Sequence, residues 1–453
     1  MSQSNRVNFG SKLGVILATA GSAVGLGNIW RFPYMAGHNG GAAFMLIYIG
    51  CVIFLGIPGM VCEFIIGRHV SANAARSYLT MGKGTPFSIV GYVGILTSII
   101  ILGFYSVVAG WCLQYLMASI LGHLNGDSTY IVNYFQTFST NPLKPALWAV
   151  LFVLLTHIIV AHGVDKGIEK ASKLMMPALF ILLIVIIIAS CSLPNAMKGI
   201  DFLFNPDFSK VDHNVILGAL GQAFFSLSLG TGCLCTYASY FNKHIDLLKS
   251  ATQIALIDTL VAIFAGLMIF PAAFSIGVSP DSGPSLIFIT LPRVFLQAFH
   301  AIPIIGYVIS ILFYSLLALA ALTSTISIHE IGTAFIHEEM HLSRKGAAWI
   351  VTIACCIVAV LCSLSVSSSS GLMIHGKSLL DCCDYITAQV LLPLGGFCTC
   401  LMIGWYVPRK VVKDEFTNWG TLRGKLFHVF VFCARYVCPI LILMIFLNQF
   451  GFI

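Results

Sequence analysis

Hydrophobic residues along this chain come in long, nearly unbroken runs separated by short polar stretches. Each run is long enough to cross ~30 Å of hydrocarbon as a helix. The pattern predicts eleven spans, at 11–35, 41–69, 87–121, 145–162, 168–190, 213–240, 248–276, 299–336, 346–366, 378–406 and 425–449. Two of them interrupt their own apolar character. In the first span, residues 20–33 read Ala-Gly-Ser-Ala-Val-Gly-Leu-Gly-Asn-Ile-Trp-Arg-Phe-Pro. Glycine weakens a helix interior by roughly 1 kcal/mol relative to alanine, and an arginine at this depth is costly without a partner. Non-helical backbone inside a membrane is tolerated only where protein buries it or it lines a cavity. The segment therefore reads as a broken helix whose freed carbonyls and amides face a binding site. The sixth span repeats the device about 200 residues later, as Gly-Gln-Ala-Phe-Phe-Ser-Leu-Ser-Leu-Gly-Thr-Gly over 221–232. Interrupted helices at corresponding places in two halves point to an inverted-repeat transporter with its site near mid-membrane.

The composition supports this reading and excludes soluble classes. Of 453 residues, 58% are hydrophobic and 9% charged. This is one membrane domain over 1–453, with repeats at about 11–190 and 213–406 and an additional helix at 425–449. The polar start, 1–12, has no signal-peptide pattern. The net charge of +7 reflects topology rather than nucleic-acid binding. With the N-terminus inside, inner segments hold seventeen lysines and arginines against five outside, at Lys144, Lys198, Lys210, Arg293 and Lys377. That bias places the N-terminus in the cytoplasm. Most of the fifteen cysteines lie in apolar runs, where they behave as small hydrophobes. The polar outer loop 122–144 has room for a short helix. Segment 277–298, broken by Pro280, Pro284 and Pro292, is expected to fold back rather than span. The serine run 367–370 reads as a linker.

The two interrupted segments, together with Ala-Leu-Thr-Ser-Thr-Ile-Ser-Ile at 321–328, resemble the neurotransmitter:sodium symporter family over essentially the whole chain. The likeness is closest to its bacterial amino-acid transporters. The resemblance implies an all-α integral membrane protein of the leucine transporter type, with a 5+5 inverted repeat broken at helices 1 and 6. It implies a sodium-coupled symporter in the bacterial cytoplasmic membrane that imports neutral, hydrophobic or aromatic amino acids; its oligomeric state is not legible. It implies two sodium sites. One would use the carbonyls of Gly21, Val24 and Ala320 with the hydroxyls of Thr323 and Ser324. The other would use Ala23, Asn28, Ser226 and Asp258. Asp258, the only acid in the seventh span, could bind sodium directly or replace a chloride, so chloride is not expected to be required. Substrate would lie among Ser22, Ala23, Gly25, Gly27, Ile101, Tyr105, Phe225, Ser226, Ser228, Thr231, Ser324 and Ile328. Thr231 stands where the leucine transporter carries phenylalanine, which predicts room for a larger side chain. The resemblance makes Arg31 and Asp384 an outer gate, and Arg6 with Glu338 an inner ion pair beside Phe9 and Tyr240. Gly167 and Pro177 match a Gly-X9-Pro spacing that lets some bacterial members unwind their fifth helix.

Two rival classes remain: a passive channel and an intramembrane zinc protease. His337-Glu-Glu-Met-His341 fits the H-E-x-x-H metalloprotease motif, whose histidines share a helix face. Its position at a watery helix end, followed by Leu-Ser-Arg-Lys, argues against it. Another small zwitterion is the nearer alternative to an amino-acid cargo.

Overall fold

The computed structural model describes residues 9–277, 286–299, 303–367, 371–374 and 376–449. The first apolar run forms α1 (Lys12–Ala23) and α2 (Gly27–His38), bent by 54° at the break. Ser11 caps α1, its side chain accepting from Gly14 N. There follow α3 (Ala42–Val70), α4 (Ala74–Met81), α5 (Pro86–Ile120), α6 (Ser128–Ser139), α7 (Lys144–Ala161), α8 (Val164–Cys191) and α9 (Ala196–Phe204). The sixth run is split into α10 (His213–Ser226) and α11 (Cys233–Ala238). Beyond it lie α12 (Leu247–Ser275), α13 (Leu291–Ala298), α14 (Pro303–Glu339) and α15 (Arg344–Ser365). A hairpin of β1 (Met373–Ile374) and β2 (Lys377–Ser378) precedes α16 (Leu379–Tyr406), α17 (Arg409–Phe416) and α18 (Phe427–Gln449).

Among the described residues, nine helices are long and apolar enough to cross a membrane, or ten with α1–α2 taken as one span. The sixth predicted span is absent from that count because its pieces, 14 and 6 residues, are each too short to cross. The loop at 122–144 does carry a helix, α6. The described part of 277–298 runs back against the bundle: Phe288, Leu291, Val294 and Phe295 are fully covered, and Tyr314 Oη donates to Ile287 O at 2.8 Å. Residues 278–285 and most of the serine run lie outside the described residues.

The helices are sorted by what they show to lipid. On α8, Leu174, Ile181 and Ile188 are exposed two turns apart; on α15, Trp349, Ile353, Ile357 and Leu361 follow every fourth residue. Both stripes match helical periodicity, with the apolar face outward. Polar side chains are instead buried inside the bundle. Asn28, Glu63, Asp258 and Glu330 are all at most 1% exposed. That inversion fits a protein whose interior, not its surface, carries the chemistry.

Candidate functional site

The backbone leaves helical geometry at Val24 and Gly25, and the groups it frees are met from three sides. Val24 O accepts from Thr323 Oγ1 at 3.3 Å and Ser324 Oγ at 3.1 Å. Leu26 N donates to Tyr105 Oη at 3.1 Å. Gly25 N donates to Asn28 Oδ1 at 3.0 Å. A side chain at Gly25 would run into Ser324 Oγ and lie 3.1 Å from Tyr105 Oη. Only glycine lets α5 and α14 approach the chain this closely.

The second break runs over 227–232. Ser228, Gly230 and Gly232 adopt positive φ of 53°, 82° and 75°, which ends α10 and resets the direction of α11. Ser228 Oγ donates to Ser22 O at 3.2 Å, joining the two breaks. Thr231 Oγ1 donates to Ser228 O at 2.8 Å and accepts from Cys233 N at 3.0 Å. Ile101 is buried nearby in the sequence of Tyr105, whereas Phe225 and Ile328 are half-buried.

Asp258 on α12 lies between the breaks, fully buried. Asn28 Nδ2 donates to its Oδ1 at 2.7 Å, and Ser226 Oγ and Tyr48 Oη donate to its Oδ2 at 2.8 and 3.2 Å. Every donor is neutral. Among the described residues no lysine or arginine forms an ion pair with it; Glu169, Glu330 and Glu415 each have one, and Glu63, buried without one, accepts from two backbone amides instead. A buried anion held only by neutral dipoles is incomplete electrostatically and fits a mobile cation. Sodium is a hard cation that takes oxygen ligands. Oxygens of that kind meet at two places: Val24 O with the Thr323 and Ser324 hydroxyls, and the Asp258 carboxylate with Asn28 and Ser226.

Several contributors escaped the sequence reading. Tyr48 is one. Glu63 is another: its Oε1 accepts from Gly230 N at 2.7 Å and its Oε2 from Cys235 N at 3.4 Å. It thereby satisfies amides that the broken helix leaves bare. Its signal was available, because Glu63 is the only acid between 42 and 70.

The gates differ in detail from expectation. Arg31 lies over the Phe225 ring, 4.2 Å from the centroid, rather than in an ion pair with Asp384. The ring face partly compensates the guanidinium, with Asp384 near enough to act on it through its charge but not in direct contact. On the opposite side, Glu338 Oε2 accepts from Asn73 N and Nδ2 at 2.8 and 3.0 Å; Arg6 lies outside the described residues. Tyr240 Oη donates to Glu330 Oε1 at 2.7 Å. Arg344 grips the same carboxylate through Nη1 at 3.1 Å and Nη2 at 2.5 Å. Phe9 packs edge-on against Tyr237 and Tyr240, with centroids 5.8 and 6.0 Å apart. A cavity of about 710 Å³ opens here, lined in part by Arg76, Lys166, Tyr240, Glu338 and Arg344. Glu169 accepts from Gly10 N at 2.7 Å and Ser11 Oγ at 2.8 Å, fastening the start of α1 to α8. Gly167 lies in wide turns over Val164–Glu169, and α8 continues unbroken through Pro177.

The zinc-protease alternative fails on geometry. Helix α14 ends at Glu339, and His341 lies beyond it at φ 53°. His337 and His341 therefore do not share a helical face. Among the described residues no group of three or more His, Cys, Asp or Glu side chains is placed to hold a metal.

A multi-pass helical protein with two broken helices and a buried carboxylate between them is built as a membrane transporter. Comparison with known proteins agrees. The profile of the Sodium:neurotransmitter symporter family matches residues 6–140 and 140–451. An uncharacterized sodium-dependent transporter of Bacillus subtilis, YhdH, is 39% identical, covering 100% of this chain and 99% of that protein. An uncharacterized sodium-dependent transporter of Haemophilus influenzae is 34% identical, covering 98% of each. The crystal structure of MhsT in complex with L-phenylalanine superposes with a TM-score of 0.88 at 41% identity, over 98% of this chain and 100% of that one. The chain belongs to the sodium:neurotransmitter symporter family: it is a sodium-dependent transporter and not an enzyme.

Proposed function

We propose that this protein imports neutral, hydrophobic or aromatic L-amino acids together with two sodium ions, across a bacterial cytoplasmic membrane, by alternating access. The observation that carries the proposal is Asp258, buried between the breaks with three neutral donors and, among the described residues, no cationic partner. The likeness to MhsT, solved with L-phenylalanine, supports the substrate class. The fold is read as eleven spans, with 11–190 and 213–406 as inverted repeats and the N-terminus cytoplasmic.

The substrate carboxylate meets the amide end of α2, near Ser22 to Gly27, where the helix dipole favours an anion, and takes over the Gly25 and Leu26 amides that Asn28 Oδ1 and Tyr105 Oη now accept from. Tyr105 Oη donates to it. The ammonium meets carbonyls at the end of α10, from Phe225 to Ser228. Ile101, Phe225, Thr231 and Ile328 surround the side chain, and threonine at 231 leaves room for an aromatic ring. Asp258 supplies a fixed negative charge, so chloride is not needed. Arg31 and Asp384 close the outer side; the Tyr240–Glu330–Arg344 cluster and Glu338 close the inner one. Glu330 is fully buried beside Arg344, so parting that pair leaves a charge uncompensated and the inner side opens only as the cluster rearranges.

One charge moving down 100 mV supplies ~2.3 kcal/mol, and a tenfold sodium gradient ~1.4. Two ions then support roughly 7 kcal/mol of accumulation, about 10⁵-fold at the limit. The test is uptake of each of the twenty labelled amino acids into proteoliposomes under an imposed sodium gradient. Concentrative, sodium-dependent uptake of phenylalanine, leucine or similar residues is expected. Selectivity confined to glycine and alanine would overturn the substrate assignment.

A further inference from the structure

Cys362, near the end of α15, and Cys383, at the start of α16, bring their sulfurs to 3.9 Å. Cys362 is fully covered and Cys383 half-buried. Helix α15 begins at Arg344-Lys345, in the cationic inner rim, and Cys362 lies eighteen residues further on, about 27 Å along the axis. The pair therefore stands at the far, outer end of the protein, where disulfides persist. This placement rests on the orientation proposed above. The next residue is Asp384, and wide helical turns follow it over Tyr385–Leu391. Leu380 N already donates to Ser365 Oγ at 3.3 Å, fastening the two helix ends together.

We propose that Cys362 and Cys383 are a redox-active pair, and that their oxidation to a disulfide ties the turn bearing Asp384 to α15 and arrests transport. A disulfide needs its sulfurs at ~2.05 Å, so they close by roughly 2 Å, a distance that side-chain rotation and a small shift of the first turns of α16, Leu379–Asp384, supply. The more accessible Cys383, as thiolate, attacks a low-molecular-weight disulfide and displaces one thiol. Cys362 then attacks the Cys383 sulfur of the mixed disulfide and displaces the second. The two cysteines lose two protons and two electrons, and the small disulfide is reduced to two thiols. Helix α15 packs across α5, α7 and α14, which makes it scaffold. Joined to it, Asp384 is held where it now stands, out of an ion pair with Arg31. The gate residue then neither approaches Arg31 nor withdraws with the outer end of α16.

The experiment uses the full protein in proteoliposomes, treated with oxidised glutathione, blocked with iodoacetamide and digested without reduction. Mass spectrometry is expected to find the Cys362 and Cys383 peptides linked in most molecules. Initial uptake should fall severalfold and return with dithiothreitol. Cys362→Ala and Cys383→Ala should neither link nor lose uptake, and Cys382→Ala should respond as wild type. Both thiols recovered fully alkylated, or complete linkage with undiminished uptake, would overturn the proposal. The peptide readout does not depend on transport. Reduced protein that moves no amino acid therefore counts against the proposed function and not against the pair.

Discussion

Asp258→Asn keeps the shape of the side chain and removes its charge. The local hydrogen bonds survive in altered form. Asn28 Nδ2 still finds the remaining carbonyl oxygen, and the hydroxyls of Ser226 and Tyr48, which donate to Oδ2 at 2.8 and 3.2 Å, turn to accept from the new amide. Folding should therefore change little. The proposed sodium interaction does not survive in this way. Two unit charges about 4 Å apart attract by ~4 kcal/mol at an effective dielectric of ~20. Complete loss would weaken sodium binding ~10³-fold, at ~1.4 kcal/mol per tenfold. The amide oxygen still ligates, so the expected loss is about 10²-fold. The assay is the sodium dependence of labelled phenylalanine uptake in proteoliposomes, with thermal unfolding in detergent as the folding control. Half-activation should move to about hundredfold higher sodium while the melting temperature stays within a few degrees. A correctly folded variant with the wild-type sodium curve would show that Asp258 does not face the ion, and the reasoning from its missing cationic partner would fail.

Other predictions follow from single contacts. Replacing chloride by gluconate should leave wild-type uptake unchanged; collapse of uptake would show that Asp258 does not stand in for an anion. Thr231→Phe fills the space left by the short side chain and forfeits the bonds to Ser228 O and Cys233 N, each worth ~1 kcal/mol; competition uptake should shift toward smaller amino acids, and an unchanged order of preference would place Thr231 outside the pocket. Glu330→Gln removes the charge that Arg344 and Tyr240 share, leaving a cation short of its partner; accessibility of an introduced cysteine in the inner cavity should rise, and unaltered labelling would remove this cluster from the gate. Glu415, on α17, is buried, which alone would raise its pKa, but the hydrogen bond from His69 and the charge of Arg68 outweigh burial and hold it below the usual carboxylate value. A depressed folded-state pKa stabilises the protein above the unfolded value, ~4.3, and that contribution is lost as pH falls through the folded value. Thermal stability should therefore drop in this acid range, and in Glu415→Gln the low-pH decline should be shallower.

The architecture was legible where the pattern was periodic or loudly broken. Spans of twenty apolar residues announce crossing helices, and glycines with Asn28 and Arg31 inside such a span announce its break. Asp258 could be singled out because an acid in an apolar run is conspicuous. The same rule applied to Glu63 would have found the carboxylate that caps the second break. Tyr48 gave no such signal, since a tyrosine in an apolar helix is ordinarily core. Glu330, also an acid in an apolar span, went unremarked, and its partners lie on two other elements. Tyr240 is 90 residues earlier in the chain, and no local spacing reveals that pairing. Arg31 shows the opposite limit. Its importance was visible in sequence, but stacking on Phe225 instead of pairing with Asp384 depends on where α16 rests in three dimensions.

The most direct test of the central claim is equilibrium binding of radiolabelled sodium to purified protein saturated with phenylalanine. Wild type should retain two ions per chain. Asp258→Asn and the double variant Thr323→Val/Ser324→Ala should each retain one at the same sodium concentration. Equal sodium content in all three proteins would contradict a cation site built at the two helix breaks.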